Sequence, residues 1–236
     1  QGPTTFLAES GSMQPAVATD AAGFRAVAVM NASSELAVRL VSPTGQVVWR
    51  SAPQTGDAFA GLQSVAFLGN GDIGVLYRTG FDTTAVVVGR RYARADGAPG
   101  NAVTFSTPPI GFSVGQVVSG TRIIAAIQAG LPRVACFDLA AGQCFGQPFA
   151  AGTRLGAITL DPTADTVYVT GTAPGAAPRP RLTALDATAG LVRFDITLTD
   201  QAPGEGRAVF VRNGVPVLVA TRTDGINPAA EGLEFY

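Results

Sequence analysis

The stretch RLTALDATAGLVRFD, Arg181 to Asp195, decides the fold. Apolar residues alternate with polar ones on either side of a short step, the period of a strand, a turn and a second strand. Asp186 opens the turn with its side chain, and Gly190 supplies the positive φ that a tight reversal needs. The same plan stands at residues 36–50 (LAVRLVSPTGQVVWR) and 133–146 (RVACFDLAAGQCFG), with a looser copy at 86–106 (VVVGRRYARADGAPGNAVTFS). Ser42 and Asp138 take the place of Asp186, and Gly45 and Gly142 that of Gly190.

Two further β-rich runs precede each hairpin, at 15–20 and 24–30, 64–69 and 73–78, 115–119 and 122–128, and 155–161 and 166–171. A last unit has runs at 207–212, 215–222 and 233–236, where the chain is one strand short. Thr4 to Ser10, ahead of the first unit, has the length to supply it. The pattern predicts an all-β chain, 1–236, of five four-stranded antiparallel units of about 46 residues, a five-bladed β-propeller closed by its N-terminal strand. The units fall near 11–53, 61–106, 111–150, 153–199, and 203–236 with 1–10. Closure of this kind removes the edges that an open array exposes. The first strand of each unit is rich in small or β-branched residues, such as Ala16, Val65, Val117, Ala157 and Ala208, which suits a crowded centre. A β-sandwich does not predict the repeat, and a β-helix coil is shorter.

The segment Ala184-Leu185-Asp186-Ala187-Thr188-Ala189-Gly190, with Phe194 trailing, resembles the repeat of PQQ-like, quinoprotein-type β-propellers. Residues 40–50 and 137–146 are degenerate copies. The resemblance covers three of five units at the level of the blade. It implies the fold and no cofactor, since no residue here matches the quinone ligands of those much larger dehydrogenases.

Composition narrows the chemistry. Histidine is absent and all sixteen basic residues are arginine, which excludes Ser-His-Asp or Cys-His catalysis, histidine-ligated zinc and lysine Schiff bases. A net charge of −1 argues against a nucleic-acid groove. No apolar run reaches the eighteen or so residues of a membrane helix. Cys136 and Cys144 flank the turn of a hairpin, where a cross-strand disulfide is feasible; it would imply an oxidising compartment, hence an extracellular, periplasmic or cell-surface protein. A start at Gln1 rather than Met fits removal of a leader, and a chosen segment boundary equally.

Loop lengths point to one binding face. The turns from first to second and third to fourth strands are tight, whereas segments 51–62, 172–181, 199–206 and 223–231 read as long loops. The long-loop face carries Asp57, Asp82, Arg154, Arg179, Arg181, Asp200, Glu205 and Asp224. Arg179 and Arg181 are chemically suited to clamp a carboxylate or phosphate, but read as a solvated loop start in preference. Asp57, Asp82, Asp200 and Glu205 would make a glycosidase-like pair only if two converge. Asp161 and Asp165 read as a capped turn in preference to a Ca²⁺ site. Trp49, Phe105, Phe145 and Phe194 recur at one place in the repeat and read as packing between units. Gly69 to Gly74 satisfies GxGxxG but opens no helix, and Asn31-Ala32-Ser33 is a sequon only in a eukaryotic secretory host. The expectation is a non-catalytic secreted module with no cofactor and no metal, meeting a protein or carbohydrate at its loop face. A small hydrolase using loop carboxylates and a subunit of an extracellular layer are the alternatives.

Overall fold

The computed structural model describes residues 13–30, 35–54, 59–79, 86–105, 112–128, 131–175, 177–199, 203–222 and 232–235, and every regular element among them is a strand. Sheet one comprises β1 (Met13–Thr19), β2 (Arg25–Met30), β3 (Leu36–Val41) and β4 (Val47–Arg50). Sheet two comprises β5 (Phe59–Phe67), β6 (Ile73–Thr79), β7 (Val86–Tyr92) and β8 (Pro99–Phe105). Sheet three follows with β9 (Phe112–Ser119), β10 (Arg122–Gln128), β11 (Arg133–Asp138) and β12 (Gly142–Pro148). Sheet four has β13 (Arg154–Asp161), β14 (Thr166–Ala173), β15 (Arg179–Asp186) and β16 (Val192–Thr197). Sheet five has β17 (Gly204–Arg212), β18 (Val215–Arg222) and β19 (Gly232–Phe235). Strands in each sheet lie side by side in chain order, so every sheet is a meander. Thr4 to Ser10, expected to complete the fifth sheet, lies outside the described residues.

The turns form as their side chains dictate. Asp186 Oδ1 accepts the N–H groups of Thr188 and Ala189 at 2.9 and 2.7 Å, and Gly190 has φ +70°. Asp138 Oδ1 does the same for Ala140 and Ala141 at 2.9 and 3.3 Å. The Ser42 hydroxyl accepts the Gln46 N–H at 3.1 Å. Second and third strands are largely apolar because both faces are covered: β3 is buried at all six positions, Arg39 included, and β2 at all but the first.

The chain divides into two compact units, Gln1–Ile110 with Gly120–Ile123 and Phe137–Gly142, and Gly111–Ser119 with Ile124–Cys136 and Gln143–Tyr236. In the first, Ala28, Val38, Leu40 and Trp49 of sheet one share a core with Val75, Tyr77 and Val88 of sheet two. Trp49, on β4, donates its indole N–H to the Arg94 carbonyl at 2.7 Å. Its ring lies over Gly97 (φ +75°), where any Cβ would overlap the indole. Glycine there answers both the left-handed backbone and the close approach. Arg94 pairs with Asp20 at 2.7 Å and lies 4.9 and 5.3 Å from the ring centres of Phe24 and Phe67. Partial burial pushes the Asp20 carboxyl up, but the hydrogen bonds from Arg94 and from the Phe24 and Ala22 N–H groups, with the Arg94 charge, outweigh it and hold the pKa below the usual value. Phe105 meets Phe137 edge to face at 4.9 Å.

In the second unit, Ile124, Val134 and Cys136 pack with Val167, Val169 and Leu185. Phe145 of β12 lies on Gly190 as Trp49 lies on Gly97. A disulfide joins Cys136 of β11 to Cys144 of β12, with the Cα atoms 5.2 Å apart. Three of the four recurring aromatics thus pack between sheets; Phe194 is 36% exposed and lies against Tyr168 of its own sheet, centroids 6.2 Å apart.

Candidate functional site

Two segments read as long loops are partly strand. β14 runs to Ala173 and β15 begins at Arg179, with Gly171 opposite Arg181, Thr172 opposite Pro180 and Ala173 opposite Arg179. The loop is therefore 174–178; two prolines suggested a longer one, but Pro180 sits near the start of its strand, where a missing N–H is tolerated. Likewise β17 begins at Gly204, inside the expected loop 199–206. Arg154, Arg179, Arg181 and Glu205 consequently stand on strands, and Asp57, Asp82, Asp200 and Asp224 lie outside the described residues.

What the strands bring together is an arginine-rich cluster on sheets four and five. Arg154, the first residue of β13, donates to Glu205 Oε1 at 3.3 Å, and Arg207 approaches Glu205 Oε2 at 2.9 Å. One carboxylate is thus shared by two guanidinium groups whose side chains are 77% and 58% exposed, while Glu205 is 28% exposed. Each guanidinium spends one contact on Glu205 and keeps donors toward solvent. Two guanidinium groups against one carboxylate leave these three side chains with a net positive charge.

Its foundation is a close approach of backbones. Gly156 on β13, Gly171 on β14 and Gly206 on β17 face one another so closely that a Cβ on Gly156 would lie 2.6 Å from the Gly206 carbonyl oxygen, and one on Gly206 2.7 Å from that of Gly171. Thr170 fills the remaining polar space, its hydroxyl accepting the Ala157 N–H at 2.9 Å. A Cβ on Gly156 would press on β17, one on Gly206 on β14, and one on Gly171 on the Arg154 carbonyl of β13, so a larger residue at any of them disturbs the strands that carry Arg154 and Glu205. β17 also shifts register between Gly206 and Ala208, at Arg207. A bulge of this kind re-aims a side chain.

Arg181 is committed elsewhere. Its Nε donates to Asp195 Oδ1 at 2.8 Å and its Nη2 to Oδ2, a two-pronged pair, and Nη1 reaches the Thr153 hydroxyl at 3.4 Å. The guanidinium also lies 5.2 Å from the Phe149 ring centre. The Arg181 hydrogen bond, opposed by partial burial and aided by the Arg181 charge and Thr183, holds the Asp195 carboxyl below its usual pKa. Arg181 therefore braces β15 to β16 rather than facing a ligand.

Arg207 and the three glycines were missed from sequence. Arg207 follows a glycine at a strand start and bore no motif, and single glycines do not announce which backbone they will meet. Asp161 and Asp165 are likewise spent on structure. Asp161 Oδ1 accepts the N–H groups of Thr163 and Ala164 at 2.9 and 3.2 Å, and Asp165 Oδ2 accepts the Thr188 hydroxyl at 2.9 Å. Among the described residues no group of three or more acids or cysteines is placed to hold a metal ion. A shallow cleft of about 520 Å³, lined by Leu160–Ala164, Val211, Asn213 and Gly214, lies at the turns between first and second strands of sheets four and five.

No protein-family model and no curated protein matches the sequence. Solved structures do resemble the chain. A Bacteroides caccae protein of unknown function is 13% identical, with 96% of this chain and 78% of that one covered and a TM-score of 0.55. The β-propeller domain of Cps50 (Swd1) from Myceliophteria thermophila is 12% identical, with 97% and 72% covered and a TM-score of 0.54. The Dos1 propeller is 12% identical with a TM-score of 0.53; 85% of this chain covers 50% of that one. The chain has a β-propeller fold, built of four-stranded antiparallel blades. Similarity at this identity carries the fold and nothing of the task.

Proposed function

We propose that the chain is a secreted or surface-displayed, five-bladed propeller that acts as a non-catalytic binding module, holding an acidic group of a protein or carbohydrate ligand between Arg154 and Arg207. The observation that carries this reading is the sharing of one carboxylate, Glu205, by two exposed guanidinium groups. Arginine pairs offer planar, fixed-fork donors that match a carboxylate or sulfate. Glu205 orients both and leaves the charge to attract a ligand. The site stands on strand starts anchored by backbone contact, which suits a preorganised surface better than a moving catalytic one. The Cys136–Cys144 disulfide supports an oxidising compartment.

In this reading the three described strands of sheet five are completed by Thr4 to Ser10, and the blades are of the quinoprotein type without the quinone. Retention on immobilised carboxymethyl-dextran against unmodified dextran tests the binding. The wild-type protein should be retained on the charged polymer alone, and retention should fall with salt. Arg154→Ala with Arg207→Ala should weaken it about tenfold or more. Equal retention on the two polymers, or retention that the double variant keeps, overturns the proposal.

A further inference from the structure

The outer strand of sheet four departs from the other outer strands. β16 is exposed at five of its six positions and half-buried at the sixth. Just before and along it stand Leu191, Val192, Phe194 and Ile196, with relative exposures of 68, 47, 36 and 48%. Among the described residues its hydrogen-bonded neighbour is β15, on one side.

Natural edges are blunted by shortness, proline, charged side chains, bulges or covering groups. β4 is four residues long and ends beside the buried Trp49; β8 begins at Pro99 and ends in the fully buried Phe105; β12 ends at Pro148 and is tied by its disulfide. β16 is six residues long without proline; it carries Arg193 and Asp195 and a register shift at Arg193, and it alternates these charges with the exposed Val192, Phe194 and Ile196. A strand edge with such an alternation is a template for a partner that matches both its charges and its apolar side chains.

We propose that the occupant is β16 of a second copy of this chain, paired antiparallel about a two-fold axis at Phe194. The sequence Val192-Arg193-Phe194-Asp195-Ile196 is complementary to itself under that operation. Phe194 meets Phe194, Arg193 faces Asp195 of the other copy, and Val192 faces Ile196. Shifting the register by one residue sets Arg193 against Phe194 or Ile196, and shifting by two sets Arg193 against Arg193 or Asp195 against Asp195. Like charges directly opposite are destabilising, whereas aromatic, apolar and opposite-charge pairs each favour pairing. Arg193 and Asp195 are bonded within their own sheet, to Asp186 and Arg181, yet their side chains are still 40% and 35% exposed, so the opposite charge of a second copy can add to each. A two-fold contact is closed, so it yields a dimer and not a fibre. The inference is independent of the acidic-ligand site, which uses the strand starts and not this edge.

Sedimentation of the purified chain over a concentration series, with the Cys136–Cys144 bridge intact, measures the association. A dimer with a Kd of about 1 mM or tighter is expected. Ile196→Lys should weaken it at least tenfold, with the thermal unfolding profile retained because the side chain is already in solvent. Under mild oxidation Phe194→Cys should cross-link to its own kind. Thr197→Cys alone should not, but should link to Leu191→Cys when the two are mixed. A chain that stays monomeric throughout overturns the proposal. So does a dimer that Ile196→Lys leaves unchanged, or one in which Phe194→Cys fails to cross-link, since the pairing would then lie elsewhere.

Discussion

Trp49 and Phe194 hold the same place in the repeat, and the molecule treats them oppositely. Trp49 is 9% exposed and Phe194 36%. The difference lies in the neighbouring sheet. Sheet two offers Trp49 a turn between its third and fourth strands, with Gly97 beneath the ring and the Arg94 carbonyl accepting the indole proton. Phe194 instead has its ring against Tyr168 of its own sheet, centroids 6.2 Å apart. An aromatic at a repeat position is thus covered where a facing turn supplies a floor, as the turn at Gly97 does for Trp49.

Replacing the two residues by alanine should break the symmetry most plainly. Trp49→Ala is expected to cost about 3–5 kcal/mol, because it empties a covered site and leaves a carbonyl without its donor. Phe194→Ala should cost less, about 1–2 kcal/mol, the residue being already 36% exposed. Denaturant titration of both variants measures the gap, and equal losses would show that Phe194 is covered in solution.

The floor can be tested separately. Gly97→Ala should destabilise by about 2–4 kcal/mol, since a methyl group there overlaps the indole. Gly45→Ala has a φ of +87° but nothing within 4 Å of the added carbon, and should cost only the backbone strain, about 1 kcal/mol. If the two variants lose the same amount, the ring contact contributes little.

Sheet four replaces apolar cover with polar ties, and these give the smallest effect. Asp195→Asn should lower stability at neutral pH by about 1 kcal/mol, the pair being partly exposed. The folded carboxyl titrates below its unfolded value, so its contribution is complete above about pH 4 and is lost as the pH falls through the folded value. Urea titrations of wild type and Asp195→Asn should therefore converge on acidification. A constant difference down to low pH would mean that the Arg181 pair does not carry it.

Strand order, the repeated hairpin, the turn residues and the Cys136–Cys144 pairing were legible because each depends on neighbours in the chain. Alternation sets a strand, and an aspartate two residues before the N–H groups it accepts sets a turn. The site was half legible. Arg154 and Glu205 stood out as charges of the expected long-loop face, but Arg181, a candidate of the same face, bonds Asp195 across two strands, and Arg207 was not singled out. Those roles depend on Gly156, Gly171 and Gly206 meeting across two sheets, from positions up to fifty residues apart.

The sequence by itself determined that this is an all-β chain of repeated meanders without histidine or lysine chemistry, since periodicity, turn chemistry and composition are local properties. Which aromatic is covered, which arginine braces two strands and which outer strand is exposed among the described residues were decided only by tertiary structure. Each depends on how near one backbone comes to another, and a glycine permits that approach without specifying the partner.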